Sequence, residues 1–274
     1  MSYNQTNMYD IEPHIAEIYD QSETYTDDVQ LIRRLMGARK GLHILEPFCG
    51  TGRILIPLAC DGHTLVGLDQ AGGMLERLRR KMAHLPQEAG RQITLVQADV
   101  IQVEWPKGFD LVILGGNCFY ELATPEEQEG CIRSAALSLN PGGCVYIDNN
   151  HMEGNLDPAW QRPGAGRGFP SGTCADGTRL ESTTETIWFD APRRLVKLRR
   201  STKVTLPDGK LVEKEYIQQK HPVSMAEVQT WLEAYGFVIE QIYGDRAGNP
   251  YIDSSSRAIF WARKIGDRYG FDRT

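Results

Sequence analysis

The sequence predicts an α/β fold with a parallel sheet and a β-rich insertion late in the chain. Over the first half, short β-rich runs alternate with helical patterns, which is typical of parallel sheets. A Gly/Pro-rich stretch then precedes three runs with the pattern of antiparallel strands. The chain has 274 residues, 41% hydrophobic and 24% charged, which is the composition of a globular protein long enough to bury its own core.

The first half contains five predicted strands joined by helices. The strands are Leu42–Glu46, Thr64–Asp69, Ile93–Gln97, Phe109–Leu114 and Gly143–Asp148. One helix places Met74, Leu75, Leu78 and Met82 on a single face. Another begins at a capping box, Thr124–Glu127, with proline at its first helical position.

The second half begins with a stretch from Gly154 to Gly177 that we expect to be a long loop. Strands follow at about 180–189, 194–206 and 211–219, with Leu206–Lys210 as a hairpin turn. Ser224–Glu227 is a second capping box, and its helix is expected to stop at Gly236. Strands Phe237–Tyr243 and Arg257–Arg263 close the chain. An insertion after strand five would lie over the carboxyl edge of the sheet, where ligands bind.

The charge and the cysteine pattern exclude several classes of protein. Thirty basic and 36 acidic residues give a net charge of −6 and a pI near 5.6, so we expect no general attraction for nucleic acid. The six cysteines form no Cys-x-x-Cys pair, which favours reduced thiols over a metal site. No apolar run is long enough for a membrane span, and the N-terminus has no secretory signal pattern. We therefore expect a cytoplasmic protein without bound metal.

The strongest local motif is a glycine turn after the first strand. Glu46 ends an apolar strand, and Gly50 and Gly52 then form a Gly-x-Gly turn into a helix. Glycine allows such a turn to approach a ligand closely. Asp69 and Asp99 lie at the ends of the next two strands, where they would suit a nucleoside. Alternatively, the turn binds nothing and the acids only cap helices.

Together with Phe109–Val112 and Asn140–Gly143, these residues resemble a class I S-adenosylmethionine-dependent methyltransferase, over about Tyr19 to Lys264. The resemblance implies a Rossmann-like, seven-stranded sheet flanked by helices, with the last strand antiparallel. It also implies S-adenosylmethionine as cofactor and S-adenosylhomocysteine as product. Phe48 stands where the family has its first glycine.

The resemblance also implies a set of cofactor-binding residues. Glu46 and the glycine backbone would hold the methionine end, Asp69 the ribose, and Asp99 with Val100 the adenine. The full set is Glu46, Phe48, Gly50, Gly52, Arg53, Asp69, Gln70, Ala98, Asp99, Val100, Gly115 and Gly116.

The segment from Gly115 to Leu122 resembles the Gly-Asn-Ser-Phe-x-His-Leu segment of glycine and sarcosine N-methyltransferases. That likeness implies that Asn117 faces the methyl donor and the amine. However, Asn150 stands where that group has a carboxylate-binding arginine, and an amide cannot form the same bidentate contact. This puts glycine in doubt as the substrate. The insertion offers three substitute arginines, namely Arg162, Arg167 and Arg179.

Tyr19 and Tyr25 lie in a segment that resembles the tyrosine-bearing lid of small-molecule methyltransferases. We expect them over the sulfonium and the acceptor, although a surface helix with half-buried tyrosines is the alternative. His151 is the candidate general base if the acceptor is a hydroxyl group, and a structural histidine otherwise. We expect His221 to be structural.

The basic run from Arg193 to Lys203 is interleaved with Leu195, Val196 and Leu198. Such alternation indicates a strand with one packed face and one solvated or subunit-contacting face. The alternative is that this run binds an anionic substrate or RNA, but nearby glutamates offset its charge.

These patterns predict one methyltransferase domain over residues 1–274. It comprises a helical lid (1–40), a cofactor-binding core (41–150), an antiparallel insertion (151–222) and a C-terminal helix with the last two strands (223–265). The predicted reaction is N-methylation of a small-molecule amine. Nucleic acid is not the expected partner, no membrane is expected to be bound, and a homo-oligomer is left open.

Two other functions remain open. One is an O- or C-methyltransferase of a natural-product pathway, in which Trp160, Phe169, Trp188 and Tyr216 line an aromatic pocket. The other is a cofactor-binding regulatory module without chemistry. The missing third glycine of the dinucleotide motif argues against a nicotinamide-dependent enzyme.

Overall fold

A computed structural model describes residues 13–265 and contains two sheets. Eleven strands form them: β1 (His43–Pro47), β2 (Thr64–Asp69), β3 (Ile93–Gln97), β4 (Phe109–Leu114), β5 (Leu139–Asn150), β6 (Gly166–Thr173), β7 (Arg179–Asp190), β8 (Leu195–Thr205), β9 (Leu211–Lys220), β10 (Phe237–Tyr243) and β11 (Arg257–Lys264). The seven-stranded sheet has the order β10-β11-β5-β4-β1-β2-β3, and the four-stranded sheet the order β6-β7-β8-β9.

The predicted fold class is confirmed. Strands β1 to β5 pair in parallel, whereas β11 lies antiparallel between β5 and β10. Residues 1–12 of the predicted lid, and the chain after residue 265, lie outside the described residues. All strands predicted in the first half are present, and β5 is longer than predicted at both ends.

Seven helices accompany the strands in the described region, and they cover both faces of the larger sheet. They are α1 (Pro13–Ser22), α2 (Asp27–Met36), α3 (Leu55–Cys60), α4 (Gly72–Met82), α5 (Gln87–Arg91), α6 (Pro125–Ser138) and α7 (Met225–Ala234). On one face, Ile132 and Trp231 from α6 and α7 join the core, and on the other, Ile32 and Leu75 from α2 and α4 do so. Burial on both faces explains why the parallel strands are apolar throughout rather than alternating.

The two predicted helix caps differ in detail. Ser224 and Glu227 form the complete capping box, and Gly236 follows α7 with φ of +78°. At α6, Thr124 accepts a hydrogen bond from the backbone of Glu127, as predicted. The Glu127 carboxylate, however, reaches back to the Ala123 N–H at 2.6 Å rather than to Thr124. The capping box predicted at Thr124 is therefore only half formed: the Thr124 side chain caps the helix, but Glu127 does not bond the Thr124 backbone.

The smaller sheet contains one strand that the sequence did not predict. The three predicted strands correspond to β7, β8 and β9, but β6 lies within the stretch expected to be a loop, which was wrong for residues 166–173. Glycine permits its close packing: a Cβ at Gly168 would lie 2.6 Å from Thr184 Oγ1, and one at Gly172 would lie 2.8 Å from Ile18 Cδ1. Backbone pairing and close approach, rather than apolar alternation, make this a strand.

The basic run has the alternation expected for a strand with one packed face. Val196 and Leu198 are buried, whereas Arg199 is exposed and pairs with Glu185 at 2.9 Å and Glu215 at 3.7 Å. The exposed face of β8 therefore forms ion pairs with glutamates of the two neighbouring strands, β7 and β9. None of the helices in residues 13–265 is both long and apolar enough to cross a membrane.

The close packing of Gly67 in β2 gives a test of the core. A Cβ there would lie 2.6 Å from Leu55 Cδ1 and 2.8 Å from Cys49 Sγ. We expect Gly67→Ala to lower the free energy of unfolding by about 1–3 kcal/mol through overpacking. The measurement is urea denaturation of the variant and the wild type.

The matched control is Gly130→Ala in the middle of α6, where nothing lies within 4 Å of the new Cβ. This variant should be more stable than the wild type by up to about 1 kcal/mol, because alanine favours helix. Equal stability of the Gly67→Ala variant and the wild type would contradict the described packing.

Candidate active site

A cleft lies at the carboxyl ends of β1, β2 and β4. Its walls come from the glycine turn, the start of α4, the turn after β4 and α1. The lining residues are Tyr19, Glu46, Phe48, Cys49, Gly50, Arg53, Ile54, Asp69, Gln70, Met74, Val100, Gly115, Gly116, Cys118 and Glu121. All the predicted cofactor residues line this cleft, which we call the donor pocket, except Gly52, Ala98 and Asp99.

Glu46 is the most unusual group in the donor pocket. Its side chain is buried, and Oε2 has no hydrogen-bond partner within residues 13–265. Burial raises the pKa of this carboxyl to about 8, and the attraction of Arg53 only partly opposes the effect. A buried carboxyl without a partner fits the ammonium group of a ligand such as S-adenosylmethionine.

The two glycines of the turn have different functions. A Cβ at Gly50 would meet nothing within 4 Å, so the backbone there is open to a ligand. A Cβ at Gly52 would lie 2.4 Å from Leu78 Cδ1, so this glycine lets the turn pack on α4 instead. Phe48 has φ of +63°, a left-handed conformation that favours glycine. The geometry of the missing family glycine is therefore retained.

Asp69 lines the donor pocket, and its carboxylate accepts hydrogen bonds from two segments of the pocket wall. Its Oδ2 accepts a hydrogen bond from the Gly50 N–H at 2.8 Å, and its Oδ1 accepts one from the Ala71 N–H at 2.9 Å. Asp99 lies outside the pocket lining and accepts from the Ile101 N–H at 3.1 Å. No helix lies between β3 and β4, so Asp99 fixes a turn and does not cap a helix, whereas Asp69 combines a turn-fixing role with access to the pocket.

Arg53 anchors an ion network behind the pocket. It meets Asp28 with two hydrogen bonds of 2.8 and 2.6 Å, and Asp28 is fully buried. The Tyr25 ring lies under the guanidinium groups of both Arg53 and Arg246, at 4.0 and 4.1 Å from its centroid. Its hydroxyl accepts hydrogen bonds from both arginines. Tyr25 is therefore part of this network and does not line the pocket.

Tyr19 is the predicted catalytic residue that does line the pocket. Burial raises its pKa, with Arg53 opposing, so the hydroxyl stays neutral at physiological pH. Its ring packs edge-on against Phe169 of β6 at 6.3 Å. The structure therefore separates the predicted tyrosine pair: one lies at the wall, and the other behind it.

Asn117 and His151 are not in the pocket lining. Asn117 has φ of +61°, and its side-chain oxygen accepts hydrogen bonds from the Asn150 N–H at 2.7 Å and from Arg257 at 3.2 Å. Both ring nitrogens of His151 are in contact with acceptors, Glu153 at 3.2 Å and the Ser255 carbonyl at 2.8 Å. The contacts of the Asn117 side-chain oxygen and of both His151 ring nitrogens therefore lie outside the donor pocket lining.

The arginines near Asn150 differ from those suggested by sequence. Arg162 and Arg167 are exposed, and Arg179 pairs with Glu181 at 2.7 Å. Arg257, which is in register with Asn150, and Arg246 instead meet the buried carboxylate of Asp148. Sequence reasoning missed this pair because antiparallel pairing of the last strand, rather than local spacing, brings it there.

Sequence reasoning also missed part of the pocket wall: Cys49, Ile54, Met74, Cys118 and Glu121. Glu121 ends the 3-10 turn Cys118–Glu121, and it stands where the aligned segment of the N-methyltransferases has histidine. The glutamate in place of histidine at this position was the sequence signal that could have identified Glu121 as a site residue. Within the described chain, no group of three or more His, Cys, Asp or Glu side chains is placed to hold a metal ion.

Comparisons with known proteins agree with this geometry. Residues 44–143 match a family described as a methyltransferase domain. A cypemycin N-terminal methyltransferase from Streptomyces sp is 26% identical over 223 residues, covering 80% of this chain and 82% of that protein.

Two solved structures are similar in fold. An S-adenosylmethionine-dependent methyltransferase from Clostridium acetobutylicum has a TM-score of 0.70 at 14% identity, covering 92% of this chain and 98% of the other. The sugar N-methyltransferase KedS8 from Streptoalloteichus sp has a TM-score of 0.64 at 18% identity, covering 90% of each chain. The matched methyltransferase domain spans the strands that form the donor pocket, so this region of the chain is similar to methyltransferases, and the pocket residues fit S-adenosylmethionine as a methyl donor.

Proposed function

We propose that this enzyme N-methylates a small-molecule amine. The observation that carries the proposal is the pair of groups at the pocket wall, the neutral Tyr19 hydroxyl and the Glu121 carboxylate. An amine brings its own lone pair and becomes cationic on methylation, so a carboxylate beside it stabilises the charge that develops. Glu121 would also be able to accept the proton that the amine loses.

A hydroxyl acceptor would need a stronger base than an amine does, and the described pocket wall holds carboxylates but no histidine. His151 lies outside it, and burial raises the pKa of the Cys49 and Cys118 thiols well above their ordinary value, so both stay protonated. The groups present therefore favour nitrogen over oxygen as the methyl acceptor.

The aromatic pocket of the O- or C-methyltransferase alternative has less support. Trp188 is exposed, with Lys197 over its ring at 5.2 Å. Phe169 instead packs on Tyr19, and Trp160 stacks on Tyr120 at 6.1 Å. Three of the four predicted residues thus have separate neighbours.

Two similarities support a small amine as the acceptor. The cypemycin methyltransferase acts at an N-terminus by its name, and KedS8 is a sugar N-methyltransferase. Because this chain has low sequence identity to both proteins, the two similarities support an amine as the general class of acceptor. Cytoplasmic location, the domain boundaries and a homo-oligomer stay predictions.

S-Adenosylmethionine supplies a methyl group on a sulfonium centre, and the chain's residues bind it and align the acceptor. We assign Glu46 to the donor's ammonium group, and Asp69 and Gln70 to its nucleoside part. Holding the two reactants in line accounts for most of the acceleration in such reactions. The acceptor's nitrogen–carbon bond forms as the carbon–sulfur bond breaks, and the electron pair leaves on sulfur.

The acceptor class is tested by incubating the purified chain with S-adenosylmethionine and matched amines, phenols and carboxylic acids. We expect N-methylated products by mass spectrometry. Glu121→Gln should lower kcat/KM for amines about 10- to 100-fold, since a charged hydrogen bond contributes roughly 1.5–3 kcal/mol. The exposed Glu126→Gln serves as control. Exclusive methylation of phenols would refute the proposal.

The two tyrosines should differ in their effect on turnover. Tyr19→Phe is expected to lower kcat about tenfold or more, because the hydroxyl at the pocket wall is lost. Tyr25→Phe should change kcat less than about threefold, because its hydroxyl contacts only the arginine network. His151→Ala should also retain near-normal turnover of amines. Steady-state kinetics of the three variants separates these roles, and a large loss for His151→Ala would restore it as a base.

Glu46→Gln should have opposite effects on stability and donor binding. The folded protein keeps a proton on Glu46 that the unfolded chain releases above about pH 4.5, so this carboxyl lowers stability as pH rises from 4.5 to about 8. The variant should therefore unfold at a higher temperature at pH 8, and the gain should shrink towards pH 4.5. Thermal unfolding at several pH values measures it.

The same variant should bind S-adenosylhomocysteine about 10- to 100-fold more weakly in calorimetry, because the ammonium loses its carboxylate. Unchanged affinity would show that Glu46 does not meet the ligand's ammonium group.

A further inference from the structure

The face of the insertion sheet that is turned towards the donor pocket is polar at one end. Side chains two residues apart on a strand share a face, so Tyr216, Gln218 and Lys220 form a row along β9. Arg200 of β8 is paired opposite Tyr216 and bonds Gln218 at 2.8 Å. Gln218 in turn contacts Glu121 of the pocket wall at 3.4 Å. We call these four sheet residues the polar row.

Lys220 is the least satisfied member of the polar row. Only 9% of the residue is exposed, yet Nζ makes no hydrogen bond or ion pair within the described part of the chain. Its nearest specific contact is the Tyr120 ring at 5.6 Å. The Tyr216 hydroxyl is likewise buried without a hydrogen-bond partner. A buried hydroxyl without a partner is costly unless a ligand meets it, and the unpaired Lys220 ammonium lies in the same row.

The charges nearby identify what such a ligand would carry. Behind the pocket, Arg53 has Asp28, while Arg246 and Arg257 share Asp148, with Asp27 also near Arg246. In the polar row, Arg200 bonds only the neutral oxygens of Gln218 and Thr184, and Lys220 has no bonded partner. Within residues 13–265, the hydrogen bonds of the polar row reach one carboxylate, that of Glu121 through Gln218, and its charge acts on Lys220. Two cations thus face one carboxylate, and one positive charge is left without a counter-ion.

We propose that Lys220, supported by Arg200 and Tyr216, binds a carboxylate carried by the methyl acceptor. The substrate would then be an amine with one carboxylate, its nitrogen near Glu121 and its carboxylate against β9. One uncompensated positive charge matches a monoanion better than a phosphate dianion. This inference rests on the proposed N-methylation, and it places recognition on the insertion rather than on strand five.

A pH dependence follows from the same groups. Burial and Arg200 lower the pKa of Lys220 to about 8, and Glu121 opposes them. Lys220 is therefore mostly charged at neutral pH and loses its charge above about pH 8. The KM for a carboxylate-bearing acceptor should rise above that pH, whereas the KM for a neutral amide should not follow it.

The test combines one variant with matched acceptors. Lys220→Met removes the charge and keeps the length, and a buried apolar chain should not impair folding. The control is Lys203→Met, on the exposed face of the same sheet. The probes are L-phenylalanine, β-alanine and 4-aminobutyrate, each with its carboxamide and its decarboxylated amine. Readouts are methyl-transfer kinetics and calorimetry of the same probes on protein loaded with S-adenosylhomocysteine.

We expect at least one carboxylate to be preferred over its amide by the wild type. Lys220→Met should raise the KM or Kd for that carboxylate about 10- to 100-fold, with kcat changed less than about threefold and the amide unaffected. Lys203→Met should behave as the wild type.

The contrary outcomes are distinct. Amides methylated as well as carboxylates, or equal weakening of both by Lys220→Met, would overturn the carboxylate site and leave N-methylation standing. Failure of every carboxylate probe both to react and to bind would also overturn it. Carboxylates that bind through Lys220 while only hydroxyl compounds are methylated would support the site and overturn the proposed N-methylation.

Discussion

The architecture of the site depends on the buried ion pair between Asp28 of α2 and Arg53 of the glycine turn. Asp28 is fully enclosed, and a buried charge of this kind is tolerated only when a partner meets it with good geometry. Arg53 also lies over Tyr25, which Arg246 shares, and Arg246 reaches Asp148 at the end of β5. One connected set of charges thus joins the N-terminal helices to the glycine turn and the sheet.

The two halves of the site are built by different means. The donor side uses the ends of parallel strands, a tight turn and the carboxyl groups of Glu46 and Asp69, all within a rigid sheet. The acceptor side uses one face of an antiparallel sheet, whose residues alternate with a solvated, ion-paired face. Substitutions on the inner face can change acceptor chemistry without disturbing the donor pocket, which suits a fold that serves many substrates.

Sequence was a good guide where a local pattern determines the structure, and a poor guide where distant segments meet. Apolar runs predicted the strands of the main sheet, and the glycine turn with the acids after β2 and β3 predicted most of the donor pocket, with Gly52, Ala98 and Asp99 as the exceptions. The strand containing Gly168 was missed because it depends on pairing and close approach. Glu121, Arg257 and Lys220 owe their positions to tertiary contacts, which no spacing rule captures.

Helix α1 packs between the insertion sheet and the start of α4, which are far apart in the sequence. Ile15 and Ile18 pack against Leu180 and Val204 of the insertion sheet, while Ala16 and Tyr19 pack against residues that begin α4. A rigid helix held on both sides transmits displacement from one neighbour to the other. The position of Tyr19 at the donor pocket wall therefore depends on the packing of the insertion sheet, because one helix contacts both.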